Sequence, residues 1–154
     1  LAAVDARTRI MAVSQVSFYS EQNLRTEHLT DRLKIRRKLL AVDVTHATGE
    51  VDLRADLCDI CVSSAYKWLL GAHGVAPCYL SERAERQVAS SSYGWRNLAV
   101  WLAKGAKRFS EVDEQPMPER LEPGKPGMVS LLFHRRRATD DRAVCALPCP
   151  MHAP

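Results

Sequence analysis

Two apolar stretches in the first half of the chain are each followed by side chains that could take part in chemistry. These side chains belong to Asp43, His46, Ser64, Tyr66 and Lys67. The first two lie at the end of the LLAVDV stretch, and the other three follow the CDICVS stretch. Burying an ionised carboxylate is costly unless a cationic group pairs with it, so Asp43 is expected to need such a partner. The pattern predicts a polar site where two strands end.

This set of side chains suits pyridoxal phosphate (PLP). The Asp43 carboxylate can keep a pyridine nitrogen protonated, the hydroxyls of Ser63, Ser64 and Tyr66 can bind a phosphate, and the Lys67 amine can form a Schiff base. His46 lies in the turn after Asp43 and can approach the same space. Each residue also has a simpler interpretation: a helix cap for Asp43, a core or surface position for His46, backbone capping for the hydroxyls and a solvated charge for Lys67.

The elements that would position these residues alternate along the chain. Apolar runs predict buried strands near residues 9–18, 39–44, 58–63 and 75–80. Helices are predicted over about 27–38 with Thr26 as N-cap, and over about 82–90 with Ser81 as N-cap.

Such alternation is typical of an α/β domain with a mostly parallel sheet flanked by helices. Ligands bind at the carboxyl ends of the strands in these sheets. We therefore expect the residues that follow the first three strands to converge on one crevice, including Ser14 to Ser17.

Composition narrows the possible functions. The 154 residues carry a net charge of +4, with one basic run at 135–137 and no aromatic residues interleaved, which argues against nucleic-acid binding. The longest apolar runs are too short to span a bilayer, so no membrane association is expected. Five cysteines without a signal peptide predict reduced thiols and a cytoplasmic location. The chain does not begin with Met and is expected to be the middle of a longer protein.

The cysteines allow a zinc site to be considered. Cys58 and Cys61 are spaced C-x-x-C, and Cys145 and Cys149 lie near His152. However, residues three apart on a strand point to opposite faces, so Cys58 and Cys61 are not expected to share a metal. No metal is predicted.

Residues 42–53 (VDVTHATGEVDL) and 62–80 (VSSAYKWLLGAHGVAPCYL) resemble the large domain of class V aminotransferase-like enzymes. These are fold type I PLP proteins, among them cysteine desulfurases, kynureninases and isopenicillin N epimerase-like proteins. The shared pattern is D-x-x-H, then S-x-Y-K with a glycine-punctuated turn and another strand. Segments 94–95 and 120–127 resemble later parts of the family, so the resemblance covers roughly residues 3–132.

The resemblance implies a role for each residue of the site. Lys67 would form the internal aldimine with the cofactor and move the substrate Cα proton. Asp43 would pair with the pyridinium nitrogen, and His46 would lie near the phenolic oxygen. Ser64 and Tyr66 would contact the phosphate. Gly71 and Gly74 would form the turn after the lysine, where a side chain is expected to clash.

Three sites depart from the family pattern. Ser20 and Glu21 stand where the family has Thr-Gly, Arg37 and Lys38 stand where it has a glycine before the Asp strand, and Lys125 stands where it has a phosphate-binding threonine. The cofactor-stacking residue and the substrate-carboxylate arginine are expected to lie outside the chain. The expected organisation is a partial PLP-binding large domain over 1–112, a loop over 113–132 leading to a missing C-terminal domain, and an irregular tail over 133–154.

The resemblance implies a PLP-dependent enzyme that acts on an amino-acid substrate, by transamination, lyase or desulfurase chemistry, or epimerisation. Its full-length parent would be a homodimer in which the second subunit completes the cofactor site. The alternative is a catalytically incomplete fragment or degenerate paralogue that serves only as an α/β interaction domain.

Overall fold

The computed structural model describes residues 2–51, 53–99, 113–117 and 119–124 of the chain. In these residues the elements are β1 (Ile10–Ser14), α1 (Glu27–Ile35), β2 (Leu39–Asp43), β3 (Ile60–Val62), β4 (Cys78–Leu80) and α2 (Glu82–Glu85). Short 3₁₀ turns occur at Ala55–Leu57 and Glu119–Leu121. Among the described helices, none is long and apolar enough to cross a membrane.

The four strands form one sheet in the order β1-β2-β3-β4. β1, β2 and β3 run parallel, and β4 is antiparallel to β3. The mostly parallel sheet predicted from the sequence is therefore confirmed. In the register of the first three strands, Ser14 pairs with Asp43 and Asp43 pairs with Val62, so the strand ends lie side by side.

The two faces of the sheet differ in burial. Leu40 and Val42 of β2 belong to a buried apolar cluster that also contains Leu33 of α1. Neighbouring residues of a strand point to opposite faces. Asp43 follows Val42 and is exposed, as is Val62 in the register position beside it. We call the face that carries Asp43 the open face.

The predicted strands and helices are present but shorter than the sequence pattern indicated. β1 ends at Ser14 because the chain turns between Ser17 and Gln22, whose backbones are hydrogen bonded at 3.0 Å. α1 ends at Ile35 because Arg37 adopts a left-handed conformation with φ 57°. α2 ends at Glu85 rather than near residue 90.

The two predicted helix caps have different outcomes. Ser81 caps α2 as predicted, since its hydroxyl accepts a 3.2 Å hydrogen bond from the Ala84 N–H. Thr26 makes no side-chain cap on α1, so that prediction is wrong. Its backbone is already helical, with φ −71° and ψ −22°, and not in the extended conformation typical of an N-cap residue.

Residues near the end of the described part of the chain, in 113–117 and 119–124, pack against residues 94–97. A Cβ atom on Gly94 would overlap the carbonyl oxygen of Pro123, so only glycine fits there. Asn97 is completely buried and its side-chain amide donates to the carbonyl oxygens of Ser92 (2.8 Å) and Arg120 (3.0 Å). The predictions for Lys125, the basic run at 135–137, Cys145, Cys149, His152 and the tail 133–154 lie outside the described residues.

Candidate functional site

The turn after β2 and the loop after β3 are joined by hydrogen bonds at the carboxyl edge of the sheet. The Val44 N–H donates to the Val62 carbonyl at 2.8 Å, and the Ser64 N–H donates to the Thr45 hydroxyl at 3.0 Å. Gly49, with φ 98°, packs on the backbone of Trp68 so closely that a Cβ would lie 3.3 Å from it. The segments that carry His46 and Lys67 are therefore held together by direct contacts.

Asp43 is exposed, so burial in this chain does not require a cationic partner for its carboxylate. It is the last residue of β2 and lies on the open face. Its Oδ1 accepts a 2.9 Å hydrogen bond from the Thr45 N–H, which caps the following turn. Among the described residues no other group donates to this carboxylate, so its second oxygen is available to a ligand.

His46 is half-buried in the turn that Asp43 caps. Its ring lies 5.8 Å from the ring of Phe18, centroid to centroid, with a tilt of 53°. Phe18 belongs to the connection between β1 and α1, and is itself 70% exposed. The connections that follow β1 and β2 thus meet at His46.

Lys67 lies in a compact loop held by its own backbone. The Gly71 N–H donates to the Ala65 carbonyl at 2.8 Å, and the Leu70 N–H donates to the Lys67 carbonyl at 2.8 Å. The Lys67 side chain is half-buried, and its Nζ lies 5.5 Å from the centre of the Tyr66 ring. Within the described part of the chain this amine has no carboxylate partner.

The hydroxyls near Lys67 fall into two kinds. Ser63 is 2% exposed, and its hydroxyl donates to the Ser64 carbonyl at 3.4 Å, so this hydroxyl is hydrogen bonded to the backbone. The hydroxyls of Ser64 and Tyr66 make no hydrogen bond with any described residue. The Tyr66 ring is stacked on the His73 ring at 4.2 Å with an interplanar angle of 22°, which fixes the plane of the phenol.

Gly74, in the turn after Lys67, does not have the steric role that the sequence predicted. Gly74 has φ 93°, a conformation that other residues rarely adopt, but a Cβ there would meet no atom within 4 Å. Backbone conformation, and not a steric clash, requires glycine at this position. Gly71 contributes the N–H that closes the loop on the Ala65 carbonyl.

Two departures from the family pattern keep the backbone geometry that glycine would allow. Glu21 has φ 55° and Arg37 has φ 57°, both in the left-handed region. A side chain in this region costs roughly 1–2 kcal/mol. At Glu21 and Arg37 the chain therefore keeps a left-handed backbone conformation without the glycine that adopts it most easily.

Asp59 is a buried charged residue that the sequence interpretation missed. It is 4% exposed and forms an ion pair with Arg83, whose Nε donates to Oδ1 at 2.9 Å. The Ser81 hydroxyl (3.0 Å) and the Leu40 N–H (2.8 Å) donate to the same carboxylate. Burial acts to raise the pKa of Asp59, but these hydrogen bonds and the Arg83 charge outweigh it and lower the pKa.

The rule applied to Asp43, that an acid in an apolar run needs partners, points to Asp59 as well. Asp59 lies inside the CDICVS run, and could have been found by the same reasoning. The ion-pair partner of Asp59 could not have been found in this way, because Arg83 is 24 residues away in sequence. With all its acceptor sites occupied by the protein, Asp59 is a structural residue.

Cys58 and Cys61 are both buried and contact each other. The expectation that they point to opposite faces is wrong because Cys58 lies before β3, outside the alternating strand geometry. A hydrogen bond with Cys61 lowers the pKa of the Cys58 thiol, against the effects of burial and of the Asp59 charge. Among the described residues, no group of three or more His, Cys, Asp or Glu side chains could hold a metal ion.

Comparisons with known proteins place this arrangement in a known fold. No protein-family model and no curated protein matches the chain. Among solved structures, it is similar to an apo cysteine desulfurase from Thermococcus onnurineus NA1, at 19% identity over 81% of this chain with a TM-score of 0.69. The cysteine desulfurase CsdA from Escherichia coli matches with 18% identity over 86% of the chain, also with a TM-score of 0.69.

A third structure is a variant of C-DES with glycine covalently linked to its PLP cofactor. It matches 88% of the chain at 18% identity, with a TM-score of 0.69. The chain has the fold of class V aminotransferase-like proteins. It spans only 30%, 32% and 37% of the three matched chains, so the likeness extends to about a third of each of those proteins.

Proposed function

We propose that this chain is the cofactor-binding part of a PLP-dependent enzyme that acts on an amino acid. The observation that supports this most directly is the junction of the turn after β2 with the loop after β3. Through it, an available carboxylate (Asp43), an imidazole (His46) and an amine without an acidic partner in the described residues (Lys67) lie on connected segments at the carboxyl edge of one sheet. The fold similarity to a protein that holds PLP agrees with this proposal.

The residues present fit the chemical groups of PLP. The cofactor has a pyridine nitrogen, a phenolic oxygen, an aldehyde and a phosphate. The site offers the Asp43 carboxylate for the nitrogen, the His46 imidazole for the phenolic oxygen, the Lys67 amine for the aldehyde, and the hydroxyls of Ser64 and Tyr66 for the phosphate. None of these groups is occupied by an ion pair within the described residues.

Each residue would then have a defined task. PLP, when bound, supplies an electron-poor ring that stabilises negative charge at the substrate α-carbon. Asp43, oriented by the Thr45 N–H, would accept a hydrogen bond from the protonated ring nitrogen and keep the proton there. The Lys67 Nζ would hold the cofactor covalently and, once released, accept the proton from the α-carbon. His46 would orient the phenolic oxygen.

Stacking on His73 would position the Tyr66 hydroxyl that contacts the cofactor phosphate. A phenol held flat against an imidazole at 4.2 Å has few rotamers left, so its oxygen stays in one place. Ser64 is fixed in a similar way through its backbone N–H, which bonds the Thr45 hydroxyl. Both hydroxyls are therefore preorganised by contacts that leave the oxygen atoms available.

The reaction remains a choice among transamination, lyase or desulfurase chemistry, and epimerisation. We place the full-length parent in the cytoplasm as a homodimer, as the family resemblance implies. Phe18 and Tyr19, which are 70% and 94% exposed beside His46, form apolar surface that a second subunit would cover. Sedimentation of the full-length parent as a monomer would contradict the dimer.

The test is covalent trapping of the cofactor on Lys67. The purified chain is mixed with PLP, reduced with borohydride and digested, and the peptide carrying the pyridoxyl group is identified by mass spectrometry. We expect the label on Lys67, with its loss in Lys67→Ala and its retention in Lys34→Ala, a matched control on α1. Equal labelling of Lys34 and Lys67 would show only surface reaction and would refute the proposal.

The second candidate, an interaction domain without catalysis, is favoured by the strained backbone at Glu21 and Arg37. The same experiment separates the two candidates. A folded chain that binds no PLP, judged by the absence of a Lys67 adduct together with a cooperative unfolding transition, would support the interaction domain.

A further inference from the structure

A polar cavity lies on the α1 side of the sheet. It has a volume of about 370 Å³ and is lined by the connection from β1 to α1, the first turn of α1, Val51 and Arg54. This volume is in the range of small-molecule pockets. Val51 in its wall also packs on the buried core, and none of the five candidate site residues lines it. The cavity is therefore separate from the proposed PLP site.

Gln15 in the cavity wall has an unsatisfied side chain. The residue is 8% exposed, and both its backbone groups are used: its N–H donates to the Asp43 carbonyl at 2.9 Å and its carbonyl accepts from the Leu24 N–H at 2.7 Å. Its side-chain amide has no hydrogen-bond partner among the described residues. Leaving a buried amide unpaired is costly, so a ligand that bonds it would be favoured.

Two arginines, Arg25 and Arg54, line the same cavity together with one acidic residue, Glu27. Arg25 lines it and has no carboxylate partner in the described parts of the chain. The nine-residue helix α1 begins there, and its first N–H groups have no partner within the helix. Thr26 makes no side-chain hydrogen bond to them. Arg54 also lines the cavity but is paired with Asp56.

We propose that this cavity binds a small organic molecule through an oxyanion, either a carboxylate or a phosphate. The guanidinium of Arg25 and the N–H groups of the first turn of α1 bind the oxyanion. The Gln15 amide bonds a neighbouring polar atom of the ligand. Leu24 and Val51 provide apolar contact for its carbon skeleton.

The experiment uses the full 154-residue chain labelled with ¹⁵N. Inorganic phosphate and succinate are titrated separately at constant ionic strength, and the Gln15 side-chain amide and the Glu27 and His28 backbone amides are followed by NMR. Saturable shifts with phosphate, with succinate or with both support the site and identify the oxyanion. No saturable shift at Gln15 with either probe would overturn it.

Two variants and one control test the assignment. Arg25→Gln is expected to weaken binding about tenfold or more, since it removes a charge-assisted hydrogen bond. Arg32→Gln, which removes the same charge from the last turn of α1, should leave binding unchanged; an equal loss would indicate nonspecific attraction and overturn the site. Gln15→Leu should abolish the binding while raising the melting temperature, so loss of binding cannot be attributed to unfolding.

The outcome is independent of the PLP proposal. Borohydride labelling of Lys67 reports on the open face, and the Gln15 shift reports on the α1 side. Phosphate-induced NMR shifts that disappear in Ser64→Ala and persist in Arg25→Gln would assign the phosphate to the PLP site. That result would overturn the proposal of oxyanion binding in the cavity beside α1.

Discussion

Asp43 ends β2 and Asp59 directly precedes β3, so the two carboxylates lie at opposite ends of neighbouring parallel strands. Asp59 is buried and receives hydrogen bonds from Arg83, Ser81 and the Leu40 backbone. Asp43 is exposed and receives one, from Thr45. A carboxylate saturated by the protein holds strands together but cannot bind a ligand. A carboxylate with one oxygen available contributes little to stability and is suited to function.

The largest effect is expected from Asp59→Ala. The change leaves Arg83, 29% exposed in its side chain, without its partner and removes the acceptor for the Leu40 N–H. Breaking a buried ion pair in this way costs about 3–5 kcal/mol. Urea unfolding followed by circular dichroism measures the loss. A change below about 1 kcal/mol would mean that the pair acts as a surface salt bridge.

The pH dependence of stability should reveal the same carboxylate. The folded pKa of Asp59 lies below its ordinary value, so its contribution is present at neutral pH and is lost as pH falls below about 4. The difference in unfolding free energy between the wild type and Asp59→Asn should therefore shrink on acidification. A difference that stays constant down to the acid transition would contradict the assigned direction of the pKa shift.

Ser81→Ala should give an intermediate loss. The Ser81 hydroxyl donates to Asp59 and accepts from the Ala84 N–H, so the change removes both a helix cap and a donor to the buried carboxylate. We expect destabilisation of about 1 kcal/mol. Ser20→Ala, at an exposed serine away from this network, provides a control that should stay near the wild-type unfolding midpoint.

Replacing the left-handed residues by glycine should stabilise the chain. Glu21→Gly and Arg37→Gly relieve the strain of φ 55° and φ 57°, although glycine also increases the entropy of the unfolded chain. The net gain is expected to be up to about 1 kcal/mol at each position. Ser20→Gly, beside Glu21, lacks this benefit and should destabilise. Thermal unfolding compares the three variants.

Asp43→Ala should have the smallest effect on stability and a large effect on cofactor trapping. It removes one hydrogen bond to an exposed carboxylate, so the unfolding free energy should change by less than about 1 kcal/mol. Labelling of Lys67 by PLP and borohydride should nevertheless fall, because the ring nitrogen loses its partner. Unchanged labelling of Lys67 in this variant would show that Asp43 does not contact the cofactor. The functional difference between Asp43 and Asp59 would then be refuted.

Local patterns predicted much of the fold. Apolar runs located all four strands, and Ser81 was correctly identified as the cap of α2, because both features depend on residues close together in sequence. Boundaries were less accurate, since α1 ends where Arg37 takes a left-handed conformation that its residue type does not indicate. The sequence pattern placed Cys58 in a strand over 58–63, but the strand begins at Ile60. The contact of Cys58 with Cys61 was therefore missed.

The sequence by itself determined an α/β chain with a D-x-x-H turn, an S-x-Y-K loop and the resemblance that connects them to PLP enzymes. These features are contiguous stretches, so residue type and spacing are sufficient to recognise them. Only the tertiary structure decided which acid is available and which is saturated. That distinction depends on Arg83, Ser81 and Leu40 converging on Asp59 from distant positions, and on the side of the sheet to which each carboxylate points. Burial and pairing are properties of the folded chain.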